Sequence, residues 1–167
     1  PDIRIQISEE IHSDFRVLIS EFLYYYAMSK KIHPIVNQMI SNDAFSQWMG
    51  IEVLDAEPGY CKLSMKIREE MTNGFGVCHG GITFSLADSA LAFASNSRGP
   101  ISLALENNIN FTKKVNVGDL LIAETEELQN GRTIGVYKVR ISNQNEELVA
   151  EFRGTVYRTG KQHELGN

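Results

Sequence analysis

Cysteine is scarce: the 167 residues hold two, Cys61 and Cys78. Two thiols cannot build a disulfide scaffold, so reduced thiols and a cytoplasmic location are expected. Basic residues are outnumbered, with 16 Lys and Arg against 21 Asp and Glu and a formal charge of -5. A chain of that sign lacks the basic surface that non-specific nucleic-acid binding needs, although one local basic patch would still suit a phosphorylated ligand. Long hydrophobic runs are missing as well. The longest near the N-terminus, Phe22 to Met28, is far short of the roughly 20 residues of a membrane span. No basic segment precedes it, so it does not read as a signal peptide, and no membrane partner is expected. The four histidines, His12, His33, His79 and His163, show no metal-ligand spacing, so no metal is expected. Internal repeats, low-complexity tracts and linkers are absent too, which argues for one domain with a sizeable core.

What is present changes period along the chain. Ile11, Phe15, Leu18, Ile19, Phe22, Leu23 and Tyr26 fall at helical spacing. Met28 resembles a natural start, so residues 1–31 are expected to be a helical extension outside the core. Pro34 opens a second helical stretch, and Asn42 or Asp43 can cap a third that Gly50 ends. From Ile51 the period becomes two. Ile51 to Leu54 and Cys61 to Ile67, around the turn Glu57-Pro58-Gly59, predict a hairpin. A long helix follows, about 80–97, stopped by Gly99-Pro100. Four β-like stretches come next: 101–111, 119–128, 133–142 and 148–158. Asn130-Gly131 is a strong hairpin signal, and short turns between consecutive strands predict an antiparallel meander. The tail, 161–167, is polar. The expected architecture is α+β, five or six antiparallel strands wrapped around one long central helix.

The chemistry concentrates in Asn73 to Ser97. Between Glu70 and Arg98 the only Asp, Glu, Lys or Arg is Asp88. A helix apolar all round is a buried helix, and a lone charge inside a protein shifts its pKa or has a task. Gly80 and Gly81 begin that helix. Its first N–H groups have no internal partner and carry partial positive charge, which suits a developing oxyanion. Asp88 lies eight residues after Gly80, about 12 Å along the axis at ~1.5 Å per residue. One reacting carbon needs both groups within roughly 3 to 4 Å. If Asp88 acts with Gly80, the helices of two copies must run antiparallel and share sites across a two-fold axis. Otherwise Asp88 is a buried carboxylate bonded to backbone or to a hydroxyl such as Ser85 or Ser89. His79 either bonds a substrate carbonyl or orients the loop. Asn73 either holds a water or carbonyl oxygen or simply makes an Asn-Gly turn.

Other readings fail. Gly74-Phe-Gly76-Val-Cys-His79 has histidine where a dinucleotide fingerprint needs glycine. His79-Gly-Gly lacks the Gly-x-Ser-x-Gly that a lipase-type hydrolase requires. Cys78 beside His79 shows no sign of an activated thiol.

The residues Asn73-Gly, His79-Gly-Gly-x-x-Phe84-x-Leu86-Ala87-Asp88, Asn110-Phe111, Gly131-Arg-Thr-x-Gly135-Val-Tyr137 and Phe152-Arg-Gly154 together resemble the hotdog-fold acyl-CoA thioesterases. The similarity is greatest to the phenylacetate-pathway branch, which acts on phenylacetyl-CoA and hydroxyphenylacetyl-CoA, and covers about residues 33–160. The resemblance implies a hotdog thioesterase domain over 32–160 that hydrolyses an aromatic or medium-sized acyl-CoA. It implies that the Gly80 N–H receives the carbonyl oxygen. It implies that Asp88 of the partner subunit is nucleophile or general base, with Asn73 and His79 placing carbonyl or water. Coenzyme A would enter as part of the substrate, with no cofactor, held by Lys113, Lys114, Arg132, Thr133 and Arg158. A homodimer with shared sites, assembled as a dimer of dimers (a homotetramer), is implied. Lys113-Lys114-Val115 stands where the family often has proline. Two alternatives are a hotdog hydratase or dehydratase on acyl-CoA or acyl-carrier protein, and a non-catalytic acyl-CoA-binding module.

Overall fold

The structure, a computed structural model, describes residues 32–165. The helix expected around Ile11 to Tyr26, and the 1–31 segment with it, lie outside the described residues. Pro34 stands at the start of α1 (Pro34–Asn42), where its missing N–H leaves nothing unsatisfied. Asp43 caps α2 (Ala44–Met49), its Oδ1 accepting from the N–H groups of Phe45 at 3.1 Å and Ser46 at 3.0 Å. Gly50 ends α2 with φ 74°, in the left-handed region that favours glycine.

The hairpin of β1 (Glu52–Glu57) and β2 (Tyr60–Lys66) follows, then the long helix α3 (Gly80–Asn96). Four strands complete the chain: β3 (Pro100–Phe111), β4 (Leu120–Asn130), β5 (Ile134–Ser142) and β6 (Leu148–Gln162). Every pairing is antiparallel. On α3, Leu86, Ala87, Ala90, Leu91, Phe93 and Ala94 are each at most 1% exposed. At about 1.5–3 kcal/mol per large apolar side chain buried, this helix is the centre of the core, and the sheet wraps it as expected.

Two features of the sheet differ from the expected meander. The strand order is β1-β2-β4-β5-β6-β3, so β3 pairs with β6 rather than with its successor β4. The 112–119 connection crosses the sheet instead, anchored by buried Val115. The Cys78 N–H donates to the Val115 carbonyl at 2.8 Å and the Gly118 N–H to that of Ile67 at 2.9 Å. The crossover therefore braces the glycine segment in front of α3. In addition, β6 continues past Arg158 to Gln162, which pairs with Pro100.

Strand β3 also carries a bulge. Its pairing steps from Ala104↔Val156 to Glu106↔Thr155, leaving Leu105 without an opposite residue. A bulge shifts the two-residue phase. Ser102 faces inward before it, Asn107 and Ile109 after it, and Leu105 is left 60% exposed. Asn107 then sits opposite Gly154 on the same face. A Cβ at Gly154 would lie 2.4 Å from Leu91 Cδ2 and 2.8 Å from Asn107 Oδ1. Gly154→Ala is therefore expected to destabilise by roughly 1–3 kcal/mol through overpacking, read as a lower urea midpoint. Gly74→Ala, where nothing lies within 4 Å, is the control and should leave the midpoint nearly unchanged.

Candidate active site

The glycine turn is built from its own backbone. The Asn73 Oδ1 accepts from the Phe75 N–H at 2.8 Å, and the Gly76 N–H donates to the Asn73 carbonyl at 3.0 Å. Gly76 takes φ 73° to close the turn. His79 is the N-cap of α3, and its Nδ1 accepts from the Gly81 N–H at 2.9 Å. That bond requires Nδ1 unprotonated, which leaves the proton of the neutral ring on Nε2. A Cβ at Gly81 would lie 3.0 Å from Nδ1, so glycine lets the ring approach. The cap consumes the Gly81 N–H. Among the described residues the Gly80 N–H has no acceptor, and Gly80 lines a cavity of about 370 Å³. Gly80, Cys78, Thr83, Phe111, Lys113 and Lys114 line that cavity.

Asp88 lies elsewhere. It is half-buried on α3 and lines a second cavity of about 330 Å³, with Leu91, Ala92, Ser102, Ala104 and His163 among its walls. Its Oδ1 accepts from the Asn107 Nδ2 at 2.7 Å. Burial pushes the carboxyl above the usual carboxylate range, and the Asn107 hydrogen bond works against that. The hydroxyls considered from sequence are engaged otherwise: Ser85 donates to the Gly81 carbonyl at 2.8 Å, and Ser89 lies 3.0 Å from the Ser46 hydroxyl. One chain therefore presents an open N–H and a desolvated carboxylate at different cavities.

The expected cations divide. Lys113 and Lys114 flank the Gly80 cavity, Lys113 also pairing with Glu147 at 2.5 Å. Arg132 and Thr133 are exposed on the β4–β5 turn, away from both cavities. Arg158 differs from the expectation of a surface cation. It is 8% exposed, donates to Asn130 Oδ1 at 2.5 Å and to the Gly131 carbonyl at 2.8 Å, and lies 3.6 Å from Glu127. Tyr137 joins the same cluster, donating to Glu127 at 2.6 Å, and Arg98 pairs with Glu127 from α3's C-terminal side. A Cβ at Gly135 would lie 3.2 Å from Arg158 Nη2. The Gly131–Tyr137 motif is thus built around a buried arginine. Alternation from Phe152 through Gly154 and Val156 points inward at Arg158, and that signal was available in the sequence. Asn107 was not singled out as functional, because its partner Asp88 is brought to it only by the fold.

Residues 75–150 match the thioesterase superfamily. The chain is 38% identical over 133 residues to the acyl-coenzyme A thioesterase PaaI of Escherichia coli K12, covering 80% of this chain and 95% of that protein. The solved structure of E. coli PaaI, from the phenylacetic acid degradation operon, superposes with TM-score 0.74 at 37% identity over 75% of this chain and 91% of that one. A Streptococcus mutans UA159 protein solved bound to acetyl CoA superposes with TM-score 0.66 at 29% identity, over 68% and 91%. The chain belongs to the thioesterase superfamily: it is a thioester hydrolase with the hotdog fold.

Proposed function

We propose that the enzyme hydrolyses an aromatic or medium-sized acyl-CoA, phenylacetyl-CoA-like, in sites shared by two copies of the chain. The observation that carries this is the separation of Gly80 and Asp88 into different cavities of one chain. Each cavity lies in the volume range of small-molecule sites, about 300–1,000 Å³, yet each holds half of the chemistry. Strand β3 supports the pairing. It is the last strand of the sheet, bonded to β6 alone among the described strands, and it exposes Leu103 and Leu105. An unpaired apolar edge is the kind of surface a second copy covers. A dimer of such dimers is the assembly proposed.

In the shared site the thioester carbonyl oxygen accepts from the N–H of Gly80 of the partner subunit. The free oxygen of Asp88 attacks the carbonyl carbon, or takes a proton from a water that attacks it. Negative charge collects on the carbonyl oxygen and is met by the N–H and the dipole of α3. The C–S bond then breaks and coenzyme A departs as a thiolate, a good leaving group that needs no strong acid. If Asp88 attacks, a water later opens the resulting mixed anhydride. His79 holds the turn rigid, and Lys113 and Lys114 meet the phosphates. PaaI is named an acyl-coenzyme A thioesterase, and the S. mutans protein was solved with acetyl CoA. Both support the CoA thioester. Incubation with phenylacetyl-CoA should release free thiol, detected with a thiol reagent. Hydration of an enoyl-CoA with no thiol release, or tight binding of an acyl-CoA panel without turnover, would sink the proposal.

A further inference from the structure

We propose that Asn107 is the positioning residue of the reaction: its amide holds Asp88 Oδ1 and leaves Oδ2 as the single reacting oxygen. The inference rests on the assignment of Asp88 as base or nucleophile and deepens it. The geometry is specific. Asn107 Nδ2 donates to Asp88 Oδ1 at 2.7 Å, while Asn107 Oδ1 is buried with no partner among the described residues. That oxygen points at Gly154, at the place where a side chain would begin. A buried acceptor without a donor is costly, and an apolar side chain could fill this space without it. The fold tolerates the orphan oxygen because the other end of the same amide is needed against Asp88. The sense of the amide follows from charge. An ionised carboxylate accepts only, so the NH₂ end must face it.

The amide also counters what surrounds Asp88. Leu91 and Ala92 on α3, Ala104 on β3 and Val156 on β6 are apolar walls of its cavity, and Ser95, Asn96 and Ser102 are the uncharged polar ones. His163, at the end of β6, lines the same cavity, with its Nε2 2.6 Å from Asn96 Oδ1. On α2's side Asp43 is engaged with the Ser46 hydroxyl at 2.6 Å, and Glu106 is exposed on the outer face of β3. Burial pushes the Asp88 carboxyl up, and the Asn107 hydrogen bond draws it back down. Removing the donor leaves burial unopposed. The carboxylate is then lost at a higher pH and its free oxygen is no longer aimed.

The test is the pH profile of kcat/KM for Asn107→Leu and Asn107→Asp beside the wild type and Asp88→Asn. Asn107→Leu should move the acidic limb up by about one pH unit, and lower kcat on the plateau by roughly 10-fold while KM stays within about 3-fold. Asn107→Asp keeps size and shape, so it carries the test should the leucine variant not fold. A second carboxyl against Asp88 should raise the limb by about two units or more. An acidic limb coincident with wild type in the folded variants, whatever happens to Tm, reduces Asn107 to packing and overturns the proposal. Activity retained by Asp88→Asn would instead overturn the assignment of Asp88, whichever way the Asn107 profiles fall.

Discussion

Asp88→Asn is expected to lower kcat/KM for an acyl-CoA by at least ~10²-fold, the scale of a lost general base, and by more if Asp88 is the nucleophile. The substitution keeps the shape of the side chain and removes its charge. In the wild type that charge is maintained against burial on a helix whose nearest buried residues, Leu86, Ala87, Ala90 and Leu91, are apolar. A group whose carboxyl is raised in the fold costs stability while ionised. That cost is fully present above its folded pKa and fades as the pH falls from there to the unfolded value. The neutral amide removes the cost at pH 7, so the variant's Tm should equal or exceed that of the wild type. Loss of activity with retained or improved stability separates a catalytic carboxylate from a structural one. A structural carboxylate would show lower stability and near-normal turnover.

The second large effect is expected at Gly80→Pro. Proline removes the open N–H at the start of α3, and position 80 tolerates it better than most. Gly80 is the first residue of α3, where proline's fixed φ suits the helix and its missing N–H breaks no helical bond. His79 has ψ 132°, the extended conformation that a residue before proline prefers. A Cβ there would lie 3.1 Å from the ring of Phe111, a flexible-ended side chain that is 54% exposed. Loss of an oxyanion donor costs about 10²–10³ in kcat. Circular dichroism and Tm close to wild type, with kcat lowered on that scale, are the expected pair of results. A variant of wild-type kcat would remove Gly80 from the mechanism.

Asp88 and the glycine turn could be read from the sequence because each violates a local rule. One charge interrupts an otherwise apolar helix, and two glycines stand where helix formers are preferred. Both signals lie within a few residues. The hairpin at Asn130-Gly131 was legible for the same reason: β4 runs to Asn130 and β5 starts at Ile134. The position of β3 was not, because pairing it with β6 across some fifty residues is decided by how the sheet closes around α3. Asn107 was hidden because its partner Asp88 lies on another element and meets it only in the fold. Without the bulge at Leu105, Leu105 and Asn107 read as one face of an alternating strand. With it, the leucine turns out and the asparagine turns in toward Asp88. Arg158 was misjudged through its charge, which suggested solvent, whereas the phase of β6 buries it against Glu127.

The claim on which the whole account depends is that one site takes Gly80 from one chain and Asp88 from another. Mixed dimers test it most directly. Gly80→Pro and Asp88→Asn chains, carrying different tags, are each expected to be nearly inactive alone because every site in either homodimer holds a defect. In a heterodimer one site receives both substitutions and the other neither. Random mixing should therefore restore about one quarter of wild-type activity, carried by the doubly tagged fraction. Doubly tagged dimers as inactive as the parents would contradict the shared site and place the chemistry within a single chain.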